Sequence, residues 1–338
     1  MIKRLYNKKS KEELIKNLNA ETFKRITCSF YNYIEIENTD KLRDEIYIFL
    51  NSLRIFGRVY IASEGINAQL SVPEHKWSAF KKEIKQFDIL LNIPIKKAIF
   101  DGVSFYKLIV KIKKEIVAYG LSKNSYDMDN VGKYLNSREF NLAIEEDNSI
   151  VMDMRNFYET EVGRFENAEI PLVEKSKDLL PEVRKMLVGR EDSQVLLYCT
   201  GGIRCEKASA FLIKNGIKNV KQLQGGIIQY AHEIKRKGID SKFIGKNFVF
   251  DARLGERVTD DIISTCHLCG QASDNHKDCK NDACHILFIQ CIECEKNLNG
   301  CCSEECKEIN SLPLDKQKQL RKDPKRVIKK RYYRSLQD

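Results

Sequence analysis

Nine of the twelve cysteines lie in one short stretch, from Cys266 to Cys306, and this clustering strongly constrains how the chain can fold. The other three are Cys28, Cys199 and Cys205. The N-terminus lacks the apolar stretch of a secretory signal peptide, so we expect a cytoplasmic protein with reduced thiols rather than a disulfide framework. Clustered cysteines in such a chain are typical of metal sites. The sequence therefore predicts a structural group of cysteines and a separate catalytic group.

The cysteine-rich segment, residues 241–310, loses regular periodicity and has few core-forming residues. Cys266-His-Leu-Cys269 and Cys291-Ile-Glu-Cys294 have the spacing with which two thiolates grip one tetrahedral zinc ion. A segment this short and poor in core-forming residues needs a metal to stabilise its fold, so we predict structural zinc. An iron–sulfur cluster and metal-free reduced cysteines are the alternatives. The spacing does not show which candidate ligands share a metal ion. The candidates are Cys266, Cys269, Cys279, Cys284, Cys291, Cys294, Cys301, Cys302 and Cys306, and His267, His276 and His285 are further possible ligands.

Residues 1–120 alternate in the order βαββαβ, which is typical of a ferredoxin-like α+β domain. One helix is predicted from Asp40, its expected N-cap, to Leu53, and a second from Glu74 to Leu90. Strands are predicted at residues 26–33, 58–62, 66–72, 93–99 and 105–112. This scaffold is common in RNA-binding proteins, although a fold alone does not establish that role.

A linker and connecting helix are predicted at residues 121–145, followed by a second α/β domain at 146–240. Its predicted strands are residues 149–154, 195–198 and 220–223, and its helices lie near Glu159 and at 175–188 and 206–215. This alternation of strands and helices indicates a parallel, doubly wound sheet.

The chain is basic, with a formal net charge of +10 at pH 7. This balance suits a polyanionic partner such as RNA, but a lysine-rich solvated surface explains it equally well. No apolar run is long enough to span a membrane. A basic tail is predicted at residues 311–338, where Tyr332 and Tyr333 could stack on bases. Other candidate phosphate contacts are Lys96, Lys97, Lys107, Lys111, Lys113 and Lys114.

Cys199 follows a predicted buried strand and opens a glycine-rich loop that ends at Arg204. The loop residues between them are Thr200, Gly201, Gly202 and Ile203. The glycines let successive N–H groups point inward, and the following helix adds its N-terminal dipole, so the loop can cradle an anion. We therefore predict an exposed Cys199 with a pKa below that of a free thiol, able to carry a persulfide, with Arg204 as a permanent positive charge. A buried structural cysteine before a turn is the alternative.

This loop resembles the rhodanese catalytic loop, which spans six residues from Cys to Arg, whereas cysteine-dependent phosphatases use a loop one residue longer. Asp153-Met-Arg155 with residues 158–168 resembles the rhodanese signature after the first core strand. Gly225–Tyr230 resembles its C-terminal motif, except that Tyr230 stands where Trp is frequent. Together with the order of elements and the clustering of cysteines, the resemblance predicts an α/β fold class with a ferredoxin-like N-terminal domain, a central rhodanese-like doubly wound parallel sheet and a C-terminal Cys-rich module.

Three longer motifs, Phe56–Gln69, Tyr198–Ser209 and Phe243–Arg257, resemble the bacterial tRNA uridine(34) hydroxylase family. These rhodanese-domain enzymes use molecular oxygen to form 5-hydroxyuridine at the wobble position of tRNA. The resemblance implies this reaction, oxygen as co-substrate, the anticodon region of tRNA as partner and a persulfide-type role for Cys199. The residues alone include no G-x-G-x-x-G fingerprint and no obvious two-His-one-carboxylate iron site, and they do not identify the electron donor.

Two other functions fit the same motifs. A sulfurtransferase would pass persulfide sulfur from thiosulfate or a protein donor to an acceptor, and an RNA-binding zinc protein would carry an inactive rhodanese unit. Cys205 also has two interpretations. It could resolve an oxidised or persulfidated Cys199 by forming a disulfide, or it could be a packing residue of the helix.

Overall fold

The computed structural model describes Leu5, Asn7 and residues 9–322 of the chain. These residues form two units. The first comprises the described residues up to Phe157 together with Phe165–Lys242 and Val249–Glu256, and the second comprises Tyr158–Arg164, Phe243–Phe248 and the described residues from Arg257 onward. Within the described part of the chain, no helix is both long and apolar enough to cross a membrane.

The N-terminal domain has a five-stranded sheet in the order β4-β1-β3-β2-β5. Its elements are α1 (Lys11–Asn19), β1 (Arg25–Tyr33), α2 (Thr39–Ser52), β2 (Phe56–Ala62), β3 (Gly65–Pro73), α3 (Trp77–Glu83), β4 (Lys96–Lys97) and β5 (Leu108–Ile112). β1 is antiparallel to β3 and β4, and β2 is antiparallel to β3, which is the ferredoxin-like arrangement. β5 adds a fifth strand, parallel to β2. The predicted ferredoxin-like domain is confirmed.

Local details of this domain differ from the predictions. The N-cap of α2 is Asn38, whose side chain accepts from the Lys41 N–H, while Asp40 lies in the first turn. The second predicted helix is regular only in α3, because Phe87 is extended and its ring packs on Phe49 at a centroid distance of 5.5 Å. β4 is shorter than predicted, since Pro94 has no N–H to donate to a neighbouring strand.

The central domain is built on a four-stranded sheet in the order β6-β10-β9-β7. The elements from residue 133 to 237 are β6 (Lys133–Leu135), α4 (Ser137–Ile144), β7 (Ser149–Asp153), α5 (Phe157–Thr160), β8 (Gly163–Phe165), α6 (Ser176–Met186), β9 (Gln194–Tyr198), α7 (Ile203–Lys214), β10 (Asn219–Leu223) and α8 (Gly226–Lys237). All pairs of this sheet are parallel. β6 comes from the segment predicted as a linker, so the sheet begins before residue 146.

Helices cover both faces of this parallel sheet, as predicted for a doubly wound fold. On one face, Val195 and Leu197 of β9 share a buried cluster with residues of α6 and α7. On the other, the Phe165 ring packs edge-on against Phe140 of α4, Tyr198 of β9 and Tyr230 of α8, at centroid distances of 5.1, 4.8 and 4.8 Å. Cys199 directly follows β9, and the alternation of side chains places it on the same face as Val195 and Leu197.

The second unit contains the cysteine-rich segment. Its elements are β11 (Phe243–Asn247), β12 (Glu256–Arg257), β13 (His276–Asp278), β14 (Leu287–Ile289), α9 (Ile292–Asn297), α10 (Glu304–Ser311) and α11 (Leu314–Arg321). β12, β11 and β8 form a three-stranded sheet, and β13 with β14 forms an antiparallel hairpin. Within the predicted basic tail, Leu314–Arg321 is helical. Residues 323–338, with Tyr332 and Tyr333, lie outside the described residues.

Candidate active site and cysteine clusters

Cys199 lies at the carboxyl end of β9, one of the two inner strands of the parallel sheet. Helix α7 starts at Ile203, slightly earlier than predicted, so the loop runs directly into a helix N-terminus. The Cys199 carbonyl accepts the Ile227 N–H at 3.0 Å, and the Thr200 carbonyl accepts the Ile228 N–H at 3.1 Å. These bonds tie the loop to the first turn of α8.

The sulfur of Cys199 is surrounded by hydrogen-bond donors. The Gly202 N–H donates to it at 3.1 Å, and both the thiol and the backbone N–H of Cys205 donate as well. Burial by itself would raise the pKa of Cys199, but these donors and the positive charge of Arg204 outweigh it and lower the pKa to about 5. At neutral pH the sulfur is therefore a thiolate. The loop therefore surrounds the sulfur with hydrogen-bond donors. Its function as an anion cradle in catalysis stays a prediction.

Arg204 supplies its charge from the first turn of α7. Its guanidinium donates to the Thr200 hydroxyl at 3.3 Å and lies 5.9 Å from the centre of the Phe250 ring. The Arg204 carbonyl accepts the Tyr119 hydroxyl at 3.1 Å. The Thr200 contact keeps the guanidinium beside the loop, and the predicted catalytic role of Arg204 stays a prediction.

The exposure predicted for Cys199 is wrong, because its relative exposed area is 0 %. Thr200, Gly201 and Ile203 are partly exposed, so the loop itself forms the outer wall of the site. The sulfur is inaccessible because the same backbone groups that bind it also cover it. Cys28 is equally remote from solvent but lies in the core of the N-terminal domain, where burial raises its pKa, so it does not join the catalytic group.

Two glycines allow this close packing. Gly202 has φ +95°, in the left-handed region that favours glycine, and directs its N–H toward the sulfur. A Cβ on Gly226 would approach the Cys199 carbonyl oxygen to 2.5 Å. Gly226 belongs to the motif that resembles the rhodanese C-terminal signature, and its contact with the loop explains why a larger residue would not fit.

The N-terminal domain also contributes to the site, which sequence reasoning missed. The Tyr31 hydroxyl donates to the Glu206 carboxylate at 2.8 Å, and the Tyr33 hydroxyl donates to the Ile203 carbonyl at 3.0 Å. The Lys96 ammonium donates to the Gly201 carbonyl at 2.6 Å. Lys96 was predicted to contact phosphate, but its ammonium points into the catalytic loop. Lys97, Lys111, Lys113 and Lys114 are exposed, and Lys107 is partly exposed.

A fully buried ion pair supports the strand that carries Cys199. The Arg155 guanidinium donates to the Asp153 carboxylate at 2.7 Å, and the Tyr198 hydroxyl donates to the same carboxylate at 2.5 Å. Both Asp153 and Arg155 have a relative exposed area of 0 %. These residues belong to the rhodanese-like signature, and they support the strand that carries Cys199. Tyr230 likewise packs in the core, and its hydroxyl donates to Asn141 at 2.8 Å.

The cysteine-rich segment holds two groups of four sulfurs, each with all its sulfur atoms within 4.8 Å of one another. One group is Cys266, Cys269, Cys291 and Cys294, and the other is Cys279, Cys284, Cys302 and Cys306. Each group combines two pairs that are distant in sequence, and the pairs alternate along the chain between the two groups. Both clusters could hold a metal ion. The structure thus groups eight of the nine candidate cysteines, and their role as metal ligands stays a prediction.

Cys301 belongs to neither cluster, although it was among the nine candidates. It is fully buried in the small core beside the second cluster, together with Ile286 and Phe288. No described histidine joins either cluster. Backbone and amide donors surround the sulfurs instead: the Cys302 N–H donates to Cys279 at 3.4 Å, and the Asn281 amide donates to Cys306 at 3.3 Å. Such donors favour the thiolate form that binds metal.

Three family models match successive parts of the chain. Residues 25–116 match the UPF0176 acylphosphatase like domain, residues 137–233 match the rhodanese-like domain, and residues 244–307 match the "Rhodanase C-terminal" domain. These ranges correspond to the ferredoxin-like domain, the parallel sheet and the cysteine-rich segment.

Curated relatives match almost the whole chain. The tRNA uridine(34) hydroxylase of Leptospira interrogans is 50% identical over 319 residues, which cover 94% of this chain and 87% of that protein. The proteins of the same name from Enterobacter sp. (strain 638) and Salmonella choleraesuis are 47% and 46% identical, covering 94% and 91% of this chain and 91% and 89% of their own lengths. Identity at this level over nearly full length leaves one conclusion: the chain belongs to the tRNA uridine(34) hydroxylase family.

Proposed function

We propose that this protein hydroxylates uridine 34 of tRNA in the cytoplasm, with Cys199 as the reactive group. The observation that carries the proposal is the set of donors around the Cys199 sulfur, which keep a buried thiol ionised inside a chain that shares about half its residues with tRNA uridine(34) hydroxylases. The net charge of +10 is consistent with a tRNA partner.

The proposed reaction replaces the C5–H of the uracil ring by C5–OH. One atom of molecular oxygen enters the product and the other leaves as water, so each turnover also consumes two electrons and two protons from a two-electron reductant. In this proposal the chain's own residues prepare the sulfur. The amides of the loop and Arg204 hold Cys199 as a nucleophilic thiolate that can carry a persulfide.

Mass spectrometry of tRNA nucleosides from cells that lack the gene tests this function directly. We expect 5-hydroxyuridine and its derivatives to disappear and to return when the gene is restored on a plasmid. Loss of a thiolated nucleoside instead would identify a sulfurtransferase that uses the same loop. An unchanged nucleoside profile would reject both activities and favour an RNA-binding role.

Cys205 is proposed as the residue that resolves a modified Cys199. Its thiol is buried and donates to the Cys199 sulfur, and its own pKa is raised by burial and by the neighbouring thiolate. Attack by Cys205 on a Cys199 persulfide would form a disulfide between the two residues and release hydrogen sulfide. A purely packing role would leave the thiol chemistry of Cys199 unaffected.

The variant Cys205→Ser separates these roles, because serine keeps a hydroxyl donor but cannot form a disulfide. We expect initial hydroxylation close to wild type, followed by progressive inactivation as Cys199 accumulates irreversible sulfinic acid. Mass spectrometry of the Cys199 peptide during aerobic turnover measures this. Full activity through many turnovers, with no overoxidised Cys199, would rule out the resolving role.

We further propose that each cysteine cluster binds one zinc ion. A zinc ion with Zn–S bonds of about 2.3 Å places tetrahedral sulfurs about 3.8 Å apart. Neighbouring sulfurs in the clusters are separated by 3.6 Å for Cys269–Cys291, 3.6 Å for Cys284–Cys302 and 3.7 Å for Cys302–Cys306. These separations suit one ion per cluster, and they are too short to admit the several iron atoms of an iron–sulfur cluster.

A further inference from the structure

Lys96 extends from the N-terminal sheet to the catalytic loop of the central domain. It lies in β4, opposite Ser29 of β1, and its ammonium donates to the Gly201 carbonyl at 2.6 Å. The same ammonium lies 4.6 Å from the centre of the Tyr31 ring. Burial lowers the pKa of Lys96 to about 8, although Cys199 and Glu206 raise it. An ammonium held this way is a fixed part of the site.

One peptide plane connects Lys96 to the reactive sulfur. The Gly201 carbonyl and the Gly202 N–H belong to the same trans peptide, so they point in opposite directions. Lys96 holds the carbonyl end, and the N–H end donates to the Cys199 sulfur at 3.1 Å. Because this peptide lies between two glycines, little steric resistance opposes its rotation. A flipped peptide would turn a carbonyl oxygen toward the sulfur in place of a donor.

We infer that Lys96 is a positioning residue for the proposed hydroxylation, which anchors the Gly201–Gly202 peptide so that its N–H stabilises the Cys199 thiolate. Attraction between the ammonium and the thiolate acts in the same direction. The other titratable groups that interact with the sulfur are Arg204 and Cys205 from its own segment and Tyr31 from β1. Glu206 accepts the Tyr31 hydroxyl and influences Lys96. The inference rests on the proposed role of the loop.

The test measures the ionisation of Cys199 rather than hydroxylation, so the inference and the proposed function can fail separately. The ionisation is followed by the ultraviolet absorbance of the thiolate in the full-length protein over a range of pH, because a sulfur with 0 % exposed area is shielded from alkylating reagents. Each protein is compared with its Cys199→Ser counterpart, which supplies the background of the other cysteines. Wild-type Cys199 should show a midpoint near pH 5, with the thiolate absorbance present above it and lost below it. In Lys96→Met we expect the midpoint to rise by about one pH unit or more, because the sulfur loses a positioned donor and a nearby charge.

Two further variants complete the experiment. Lys96→Arg keeps a cationic donor and should restore a midpoint close to wild type. Lys97→Met is the matched control, because Lys97 is exposed and its ammonium lies 5.2 Å from the centre of the Trp77 ring. Its midpoint should equal that of the wild type.

If Lys96→Met does not fold, Lys96→Gln replaces it, and an upward shift is again expected. An unshifted midpoint in a folded Lys96→Met or Lys96→Gln protein would overturn the inference, as would an equal shift in Lys97→Met. Loss of hydroxylation with an unshifted midpoint would likewise assign Lys96 to another role.

Discussion

Replacing Cys199 by serine will abolish 5-hydroxyuridine formation, with a fall of at least about a thousandfold, the scale typical of removing a catalytic nucleophile. The physical reason lies in the charge state. The Gly202 and Cys205 donors and Arg204 lower the pKa of the Cys199 thiol to about 5, but a serine hydroxyl in the same cradle stays neutral because its intrinsic pKa is far higher. The donors would then surround a group that cannot attack.

The measurement uses a strain that lacks the gene and carries each variant on a plasmid, with mass spectrometry of its tRNA nucleosides. Cys28→Ala is the matched control, since it removes another fully buried thiol but touches only the N-terminal core. It should keep normal modification as long as the protein accumulates. Normal levels of 5-hydroxyuridine in the Cys199→Ser strain would refute the assignment of the reactive group.

Loss of one metal ligand should have the largest effect on stability. Structural zinc sites contribute about 10–16 kcal/mol of binding free energy at neutral pH, and this free energy is folding free energy because no preformed site exists in the unfolded chain. Cys302 belongs to the second cluster, with neighbouring sulfurs 3.6 and 3.7 Å away. We expect Cys302→Ala to unfold the cysteine-rich segment and to reduce bound zinc from two ions per chain to at most one.

Cys301→Ala is the control for this variant, because Cys301 is the adjacent buried cysteine and belongs to neither cluster. It should keep both ions and most of the stability. The measurements are elemental analysis of protein purified without oxygen and thermal unfolding with and without a chelator. A wild-type protein that contains no metal, or a Cys302→Ala protein with unchanged metal content and unfolding temperature, would contradict the zinc proposal.

Features with a strong local signal could be predicted from the sequence. The periodicity of apolar residues predicts β1, β2 and β3, and a short continuous apolar run predicts the buried strand β9. Glycines and an arginine at a fixed spacing after Cys199 predict the anion cradle. The doubly wound arrangement followed from the order of elements, but the strand order did not, because β6 lies in the segment predicted as a linker. Exposure of Cys199 was predicted wrongly, because the loop sequence does not show that its backbone covers the sulfur it binds.

Features that depend on contacts distant in sequence could not be predicted. Lys96 and Gly201 are 105 residues apart, and only the packing of two domains brings them together. Lys96 therefore looks like any other surface lysine in the sequence. The grouping of candidate metal ligands is a similar case, since Cys301 and Cys302 are neighbours and only the folded chain distinguishes the packing thiol from the candidate ligand.

The alternation of cysteine pairs between the two clusters affects the order in which the segment can assemble. Closing the first cluster joins Cys269 to Cys291, and the loop enclosed by this pair contains Cys279 and Cys284 of the second. In the proposed zinc-bound protein, binding of the first ion therefore favours binding of the second, because it raises the local concentration of the remaining thiolates. Chains with only one bound ion should be scarce. A limited supply of metal should then lower the number of fully loaded chains rather than the number of ions in each loaded chain.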